Sequence, residues 1–497
     1  MASTIPNLPQ PGLRFPDFTN IAVGGFGDGN NCYAHSMAWF RDHLFVGTTR
    51  ANLCMLKNSV SGRLISIDNW PVHCPHRPYE PEFEHSQGRA EIWRYAPTTG
   101  VWARLYQAPL VLGSHGELMS RDLGYRGMVL FQGDSDPAPC LYLTNWSRSN
   151  GDGPTLLRCA DGITFEVASQ PKFGGMLVNS IRTLVPFKGR LFVAPTGSGK
   201  GNPNVSHPVI YESRDPRRGR WKLSNPVGFG DNTNRVIFEM AEFNGFLYAG
   251  TGNNDGCQIW RTPAQGNPPY RWEKVIERGA SRGSLNQCVV SMIVFKGSLY
   301  IGTGIQNGGY DHVNKIGPAG AEIFRINSDG SWDLCVGDSR PTPQGFKTSL
   351  SGLPAGFGNF FSGYLWRMAI HDGWLYAGTM EWSVTLSYAD LTKRPPLIRK
   401  LFESVGADNI VRQQGGFDLW RSSDGAHWIP VSRRGFDNPY NYGVRTMVST
   451  PYGFFLGTAN PFGPRVAKYT DGQWHYEHNP RGGCEVWLGS RPQHNTE

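Results

Sequence analysis

Long apolar runs are missing: no stretch of the 497 residues approaches the roughly 18 apolar residues that carry a helix across a bilayer. The opening MASTIPNLPQPGLRF has neither a basic start nor an apolar stretch, so no secretory leader is expected. Charged residues are sparse at 18%, and the net charge of +8 is dispersed without a long Lys/Arg run, which speaks against a nucleic-acid partner. No CxxC pair occurs among the nine cysteines (Cys32, Cys54, Cys74, Cys140, Cys159, Cys257, Cys288, Cys335, Cys484). An odd, unpatterned set reads as reduced thiols in a cytoplasmic protein. HExxH is absent, and GSGKGN (197–202) lacks both the spaced first glycine and the Ser/Thr after Lys200 of a phosphate loop.

What is abundant is turn and aromatic material: 62 glycines, 36 prolines and 16 tryptophans, as in a fold of many short strands. One phrase recurs, an apolar strand, a tight turn and a strand ending in Gly-Thr. It reads SMAWFRDHLFVGT (36–48), EMAEFNGFLYAGT (239–251), SMIVFKGSLYIGT (291–303), RMAIHDGWLYAGT (367–379) and TMVSTPYGFFLGT (446–458), with looser copies at 127–145 and 183–196. A third strand follows each copy (AEIWRY, TLLRC, VIYES, CQIWRT, AEIFRI, FDLWRS, CEVWLG). A fourth is marked by Trp102, Phe165, Trp221, Trp272, Trp332 or Trp428.

Such a pattern predicts an all-β, seven-bladed β-propeller of four-stranded antiparallel blades in a single domain. The blades fall at about 35–107, 124–170, 179–225, 235–277, 287–337, 364–432 and 442–489. The last copy lacks room for a fourth strand, so FTNIAVGGFG (18–27) is expected to supply it and close the ring. The turns SSDGAHW (422–428), NSDGSW (327–332) and CADGITF (159–165) resemble the Asp-box, in which Asp and Gly build the turn without a catalytic role.

Loops entering first strands and loops leaving second strands share one end of a propeller. GFGDGNN (25–31), GFGDNTN (228–234), GFGNFF (356–361) and GFDNPYN (435–441) occupy the former; the latter are long at 49–89 and 380–416 and suit lids over a pocket. Residues expected at that mouth are Arg50, Glu381, Trp382, Asn253, Asn460, Asp28, Asn31, His35, Arg182, Glu239, Tyr364, Arg367, Tyr442 and Arg445. Arginine offers a planar donor fork, a carboxylate can serve as base, and tyrosine can donate to developing charge. HCPHRPYEPEFEH (73–85) spaces His73 and His76 as metal ligands can be, but its three prolines favour a solvated lid segment, and no metal is assigned.

HSMAWFRDHLFVGTTR (35–50), with the following EIWR and DGxxW elements, resembles the propeller of cylindrocyclophane-type alkylating enzymes, which join an aromatic carbon or a carboxylate oxygen to a secondary alkyl chloride. That resemblance implies Arg50, Glu381 and Tyr442 as catalytic residues. Position at the mouth, not the resemblance, makes His35, Arg182, Glu239, Tyr364, Arg367, Trp382, Arg445 and Asn460 the expected substrate-binding residues. The resemblance also raises a structural calcium, although the Gly-Gly-x-Gly-x-Asp repeats of that family are not spelled here; no other cofactor is expected. The leading expectation is a transferase-like enzyme of secondary metabolism acting on a small molecule by C–C or C–O alkylation. Alternatives are a non-catalytic ligand- or protein-binding propeller and a carbohydrate-active lyase or hydrolase. The sequence does not fix an oligomeric state.

Overall fold

The computed structural model describes residues 11–60, 70–148, 150–169, 178–197, 208–389 and 396–491, so 198–202 of GSGKGN lie outside the described residues. It is a mostly-β propeller. Asn31–Phe40, His43–Arg50, Glu91–Ala96 and Val101–Gln107 are successive antiparallel neighbours, and this four-stranded plan recurs along the chain. In the first two strands nearly every residue is buried, because adjacent blades cover both faces. The last C-terminal strand, Val486–Gly489, pairs on one side with Gly453–Ala459 and on the other with Phe18–Ala22. The chain ends therefore share one sheet, in the place expected for residues 18–27.

The Gly-Thr repeat has a physical cause in each half. A Cβ on Gly47 would stand 2.7 Å from Cβ of Tyr125, one on Gly250 2.5 Å from Val289, and one on Gly378 2.4 Å from Val444. Every one of these obstacles belongs to the next blade, so glycine sets the spacing between blades. The threonine hydroxyl accepts the backbone N–H that opens the third strand: Glu91 N donates to Thr48 at 3.0 Å, Gln258 N to Thr251 at 3.0 Å, Glu485 N to Thr458 at 2.8 Å.

The GFG phrases are equally structural. Phe26 stacks on Trp93 at 4.8 Å, Phe229 on Trp260 at 5.1 Å and Phe357 on Trp420 at 4.5 Å. The asparagine six residues after the first glycine donates back to that glycine and forward to a third-strand Glu or Gln. Asn31 thus joins Gly25 to Glu91, Asn234 joins Gly228 to Gln258, and Asn441 joins Gly435 to Glu485. In the Asp-box-like turns, Asp161 and Asp424 each accept two backbone N–H groups (2.7–2.8 Å), which builds the turn and holds both carboxyls below the usual range.

One expectation changes. Cys54 and Cys74 form a disulfide within the first-blade insert, so the reading of all nine cysteines as thiols is corrected; the other seven are free and buried. No helix among the described residues is long and apolar enough to cross a membrane.

Candidate functional site

The innermost strands share one irregularity that builds the site. In each, the register with its hairpin partner slips by one residue at the same place, leaving His35, Arg126, Arg182, Phe238, Val290, Trp366 and Arg445 without a cross-strand partner. A β-bulge of this kind re-aims its side chain. His35, Arg126, Arg182, Trp366 and Arg445 line a cavity of about 620 Å³ at the mouth. Arg445, Arg126 and Arg182 form a cationic arc with the neutral His35 between them; the other bulged positions are the apolar Phe238, Val290 and Trp366, of which Trp366 lines the cavity.

The arc is held by stacking rather than by carboxylates. Arg182 lies over Phe238 at 3.9 Å, Arg126 over Trp146 at 5.0 Å and Arg445 over Trp366 at 5.2 Å. No ion pair involves these three among the described residues, and Nε of Arg126 and of Arg445 lacks any hydrogen-bond partner. Burial, then the mutual repulsion of the guanidiniums, brings Arg445 down to about 9 and holds Arg126 well below its usual value. His35, buried and facing Arg445, Arg126 and Arg182, is held well below the usual histidine range and is neutral at pH 7. Arg445 Nη2 donates to His35 Nε2. An arginine cannot accept, so the His35 proton resides on Nδ1 and is donated to Thr49 Oγ1 at 2.5 Å.

One step further down the channel, Arg367 reaches across to Glu239 at 3.0 Å, and Thr183 donates to the same carboxylate at 2.7 Å. Glu239 pairs with Arg367 and acts at longer range on Arg182 and Arg445, so one carboxylate serves several guanidiniums. Towards the mouth stand three tyrosines. Tyr33 and Tyr442 hydrogen-bond through their hydroxyls, and Tyr364 OH accepts from Gly308 N at 3.1 Å. Burial raises all three phenols, Tyr364 to about 12. Both long inserts reach the cavity: Asn52, Leu53, Leu56 and Trp70 from one, Trp382, Thr385, Leu386 and Ala389 from the other.

The expected site residues separate into two groups. His35, Arg182, Tyr364, Trp382, Tyr442 and Arg445 line the cavity. Arg50 and Glu381 do not, and their assignment as catalytic residues is corrected. Arg50, 2% exposed, bonds Asp28 (2.6 Å), Asn31 (3.1 Å) and the carbonyls of Ser86 and Gln87, with Glu91 at 3.5 Å. Glu381, fully buried, accepts from Ser383 N at 2.8 Å and Gly416 N at 3.2 Å. Each stitches the start or return of a long insert to the blade. Asn253 and Asn460 do the same for shorter loops, Asn460 donating to Asn441 and to the Arg481 carbonyl and accepting from Phe462 N, so it is not a substrate contact.

Arg126, Tyr33 and Trp366 were not foreseen. A signal existed: the bulged residue stands directly before each repeat phrase, as His35 before SMAW, Arg126 before GMVL and Trp366 before RMAI.

In the 73–85 segment, Cys74 is in the disulfide, His73 packs on Tyr476 at 5.1 Å, and Glu84 binds Arg148 and Ser120. Among the described residues no three His, Cys, Asp or Glu converge as a metal site. Gly279-Ala-Ser-Arg-Gly283 has the spacing of a nucleophile elbow but lies in a loop, where Asn286 donates to the Gly279 carbonyl and Arg282 pairs with Asp338 at 2.8 Å.

No family model and no curated protein matches the chain. Solved structures resemble it at low identity. A Mycobacterium tuberculosis puromycin-hydrolyzing peptidase shares 11% identity at TM-score 0.44; 98% of this chain is covered, and the match spans 57% of that protein's length. An α-L-arabinofuranosidase of Fusarium graminearum shares 10% at TM-score 0.39, covering 73% and 93% of the two chains. A Penicillium chrysogenum α-L-arabinanase shares 12% at TM-score 0.37, covering 70% and 88%. These names are those of hydrolases, not of alkylating enzymes. With Arg50 and Glu381 locked into the scaffold, the expectation of a transferase that alkylates is corrected.

Proposed function

We propose that the chain is a closed propeller of seven blades whose mouth cavity binds a small organic molecule and transforms it. Support for the ring comes from the single residue pairs between neighbouring blades, Thr49 with Gly124, Trp146 with Ser180, Gly252 with Cys288, Gly304 with Tyr364 and Met380 with Gly443, and from Tyr33 with Ala459 between last and first. The observation that carries the functional reading is convergence. Bulged residues of separate blades and both long inserts, acting as lids, meet around one cavity. Its buried histidine, tyrosines and arginines have proton affinities displaced from their usual values, as at reaction sites.

The Tyr33–Tyr442 hydroxyl pair at the cavity wall is the group placed for proton transfer, while His35, with both ring nitrogens engaged by Arg445 and Thr49, positions Arg445. A carbohydrate-active role of the two-carboxylate kind lacks its parts here, because no Asp or Glu stands among the described residues that line the cavity. An acidic sugar answers the same lining better, with arginines in place of carboxylates. Intact disulfides persist in oxidising compartments, so the cytoplasmic assignment is not retained.

The test is native mass spectrometry of the protein after exposure to a fractionated metabolite extract, with chromatography of the extract before and after. The wild type should retain and convert a compound that a Thr385→Trp protein, its cavity filled, leaves untouched. Identical behaviour of the two proteins would contradict the assignment.

A further inference from the structure

Resting on the mouth cavity as the ligand site, we infer that Arg126, Arg182 and Arg445 form a seat for a dianionic oxyanion carried on a compact apolar body, such as a phosphate monoester or a dicarboxylate. The argument is one of charge count. Three guanidiniums from separate blades face one cavity, none of them in an ion pair among the described residues, and the one carboxylate that acts on them, Glu239 on Arg182 and Arg445, is bonded to a fourth arginine, Arg367. Counting Arg367, four guanidiniums stand against the single carboxylate of Glu239, a surplus of three positive charges. His35 adds no charge, and as an acceptor it fixes the orientation of the Arg445 fork.

Three like charges inside a propeller are costly to leave together unless something negative joins them. A monoanion would leave two of them unanswered, a dianion one. The guanidinium fork matches two oxygens of one oxyanion at once. The rest of the wall selects the body that carries it: Trp366, Tyr33, Tyr364 and Met380 offer apolar surface beside the arc, and the cavity of about 620 Å³ admits a molecule of one or two rings.

The inference predicts that function and stability pull in opposite directions. Arg126→Met and Arg182→Met should each leave the melting temperature of the empty protein equal to or above that of wild type, because repulsion is relieved. Each should weaken binding of phenyl phosphate at least tenfold by calorimetry, with the corresponding Lys variants intermediate. In the wild type, affinity should fall from phenyl phosphate through benzoate to benzyl alcohol, and inorganic phosphate should compete. Equal binding of benzyl alcohol and phenyl phosphate would overturn the oxyanion seat while leaving the cavity as a ligand site. Met variants that melt earlier and bind phenyl phosphate as wild type does would overturn it too, as would the absence of heat or thermal shift with every anion, phosphate included.

Discussion

At the scale of single residues, direction decides role. Met380 and Trp382 line the cavity while Glu381 between them turns into the blade, as period-two alternation requires. Arg50 is likewise turned away from the mouth and stands between Asp28, Asn31 and Glu91. Sequence position alone brought both residues to the correct end of the propeller without giving the face. Arg50→Met should therefore cost about 3 kcal/mol, because Glu91 keeps Arg104 at 2.7 Å but loses a buried cation. It should leave ligand binding per folded molecule unchanged. Chemical denaturation and calorimetry on the same protein check both halves.

At the scale of the blade, the repeated stitch explains its own exception. In the last blade Glu485 accepts from Asn438, Asn441 and Trp487 together. The preceding blade has the shorter Asp418 and, in place of the second asparagine, Ser362. Both Asp418 oxygens, Ser362 Oγ, Asn359 Nδ2 and Trp420 Nε1 are buried without a well-formed hydrogen bond, and Asp418 keeps only the long contact of Arg433 at 3.9 Å and the weak pull of Asn359 and Trp420. Burial lifts the Asp418 carboxyl to about 7, only partly offset by Arg433. A folded-state value above the unfolded one means the native protein binds the extra proton between about pH 4 and 7. Stability should thus fall as pH rises through that window, by up to about 4 kcal/mol, and level off above it. The double substitution Ser362→Asn, Asp418→Glu should rebuild the stitch, raise stability at pH 8 by about 1–2 kcal/mol and flatten the slope. Urea denaturation at pH 5 and pH 8 measures this, and an unchanged slope would refute the assignment to Asp418. Such a gap was invisible in the sequence, where FDLW differs from CEVW by one methylene at the position that matters.

At the scale of the whole molecule, what was legible is what repeats. Gly-Thr, GFG with its asparagine, and the Asp-Gly turns each recur because every blade solves the same packing problem, and the pairing of the chain ends followed from one missing strand. The mouth was legible only in part, because its arginines are far apart in sequence and converge through bulges that ordinary strand alternation does not reveal. The resemblance to alkylating propellers followed the repeat and not the site, and the site is where function resides. The most direct measurement is anomalous diffraction from crystals soaked in tungstate, a dianion with strong X-ray signal. The account predicts one dominant peak inside the mouth, within hydrogen-bonding distance of the Arg126, Arg182 and Arg445 guanidiniums, that is lost in the Arg182→Met protein. Peaks confined to the outer surface, with the cavity empty at saturating tungstate, would contradict it.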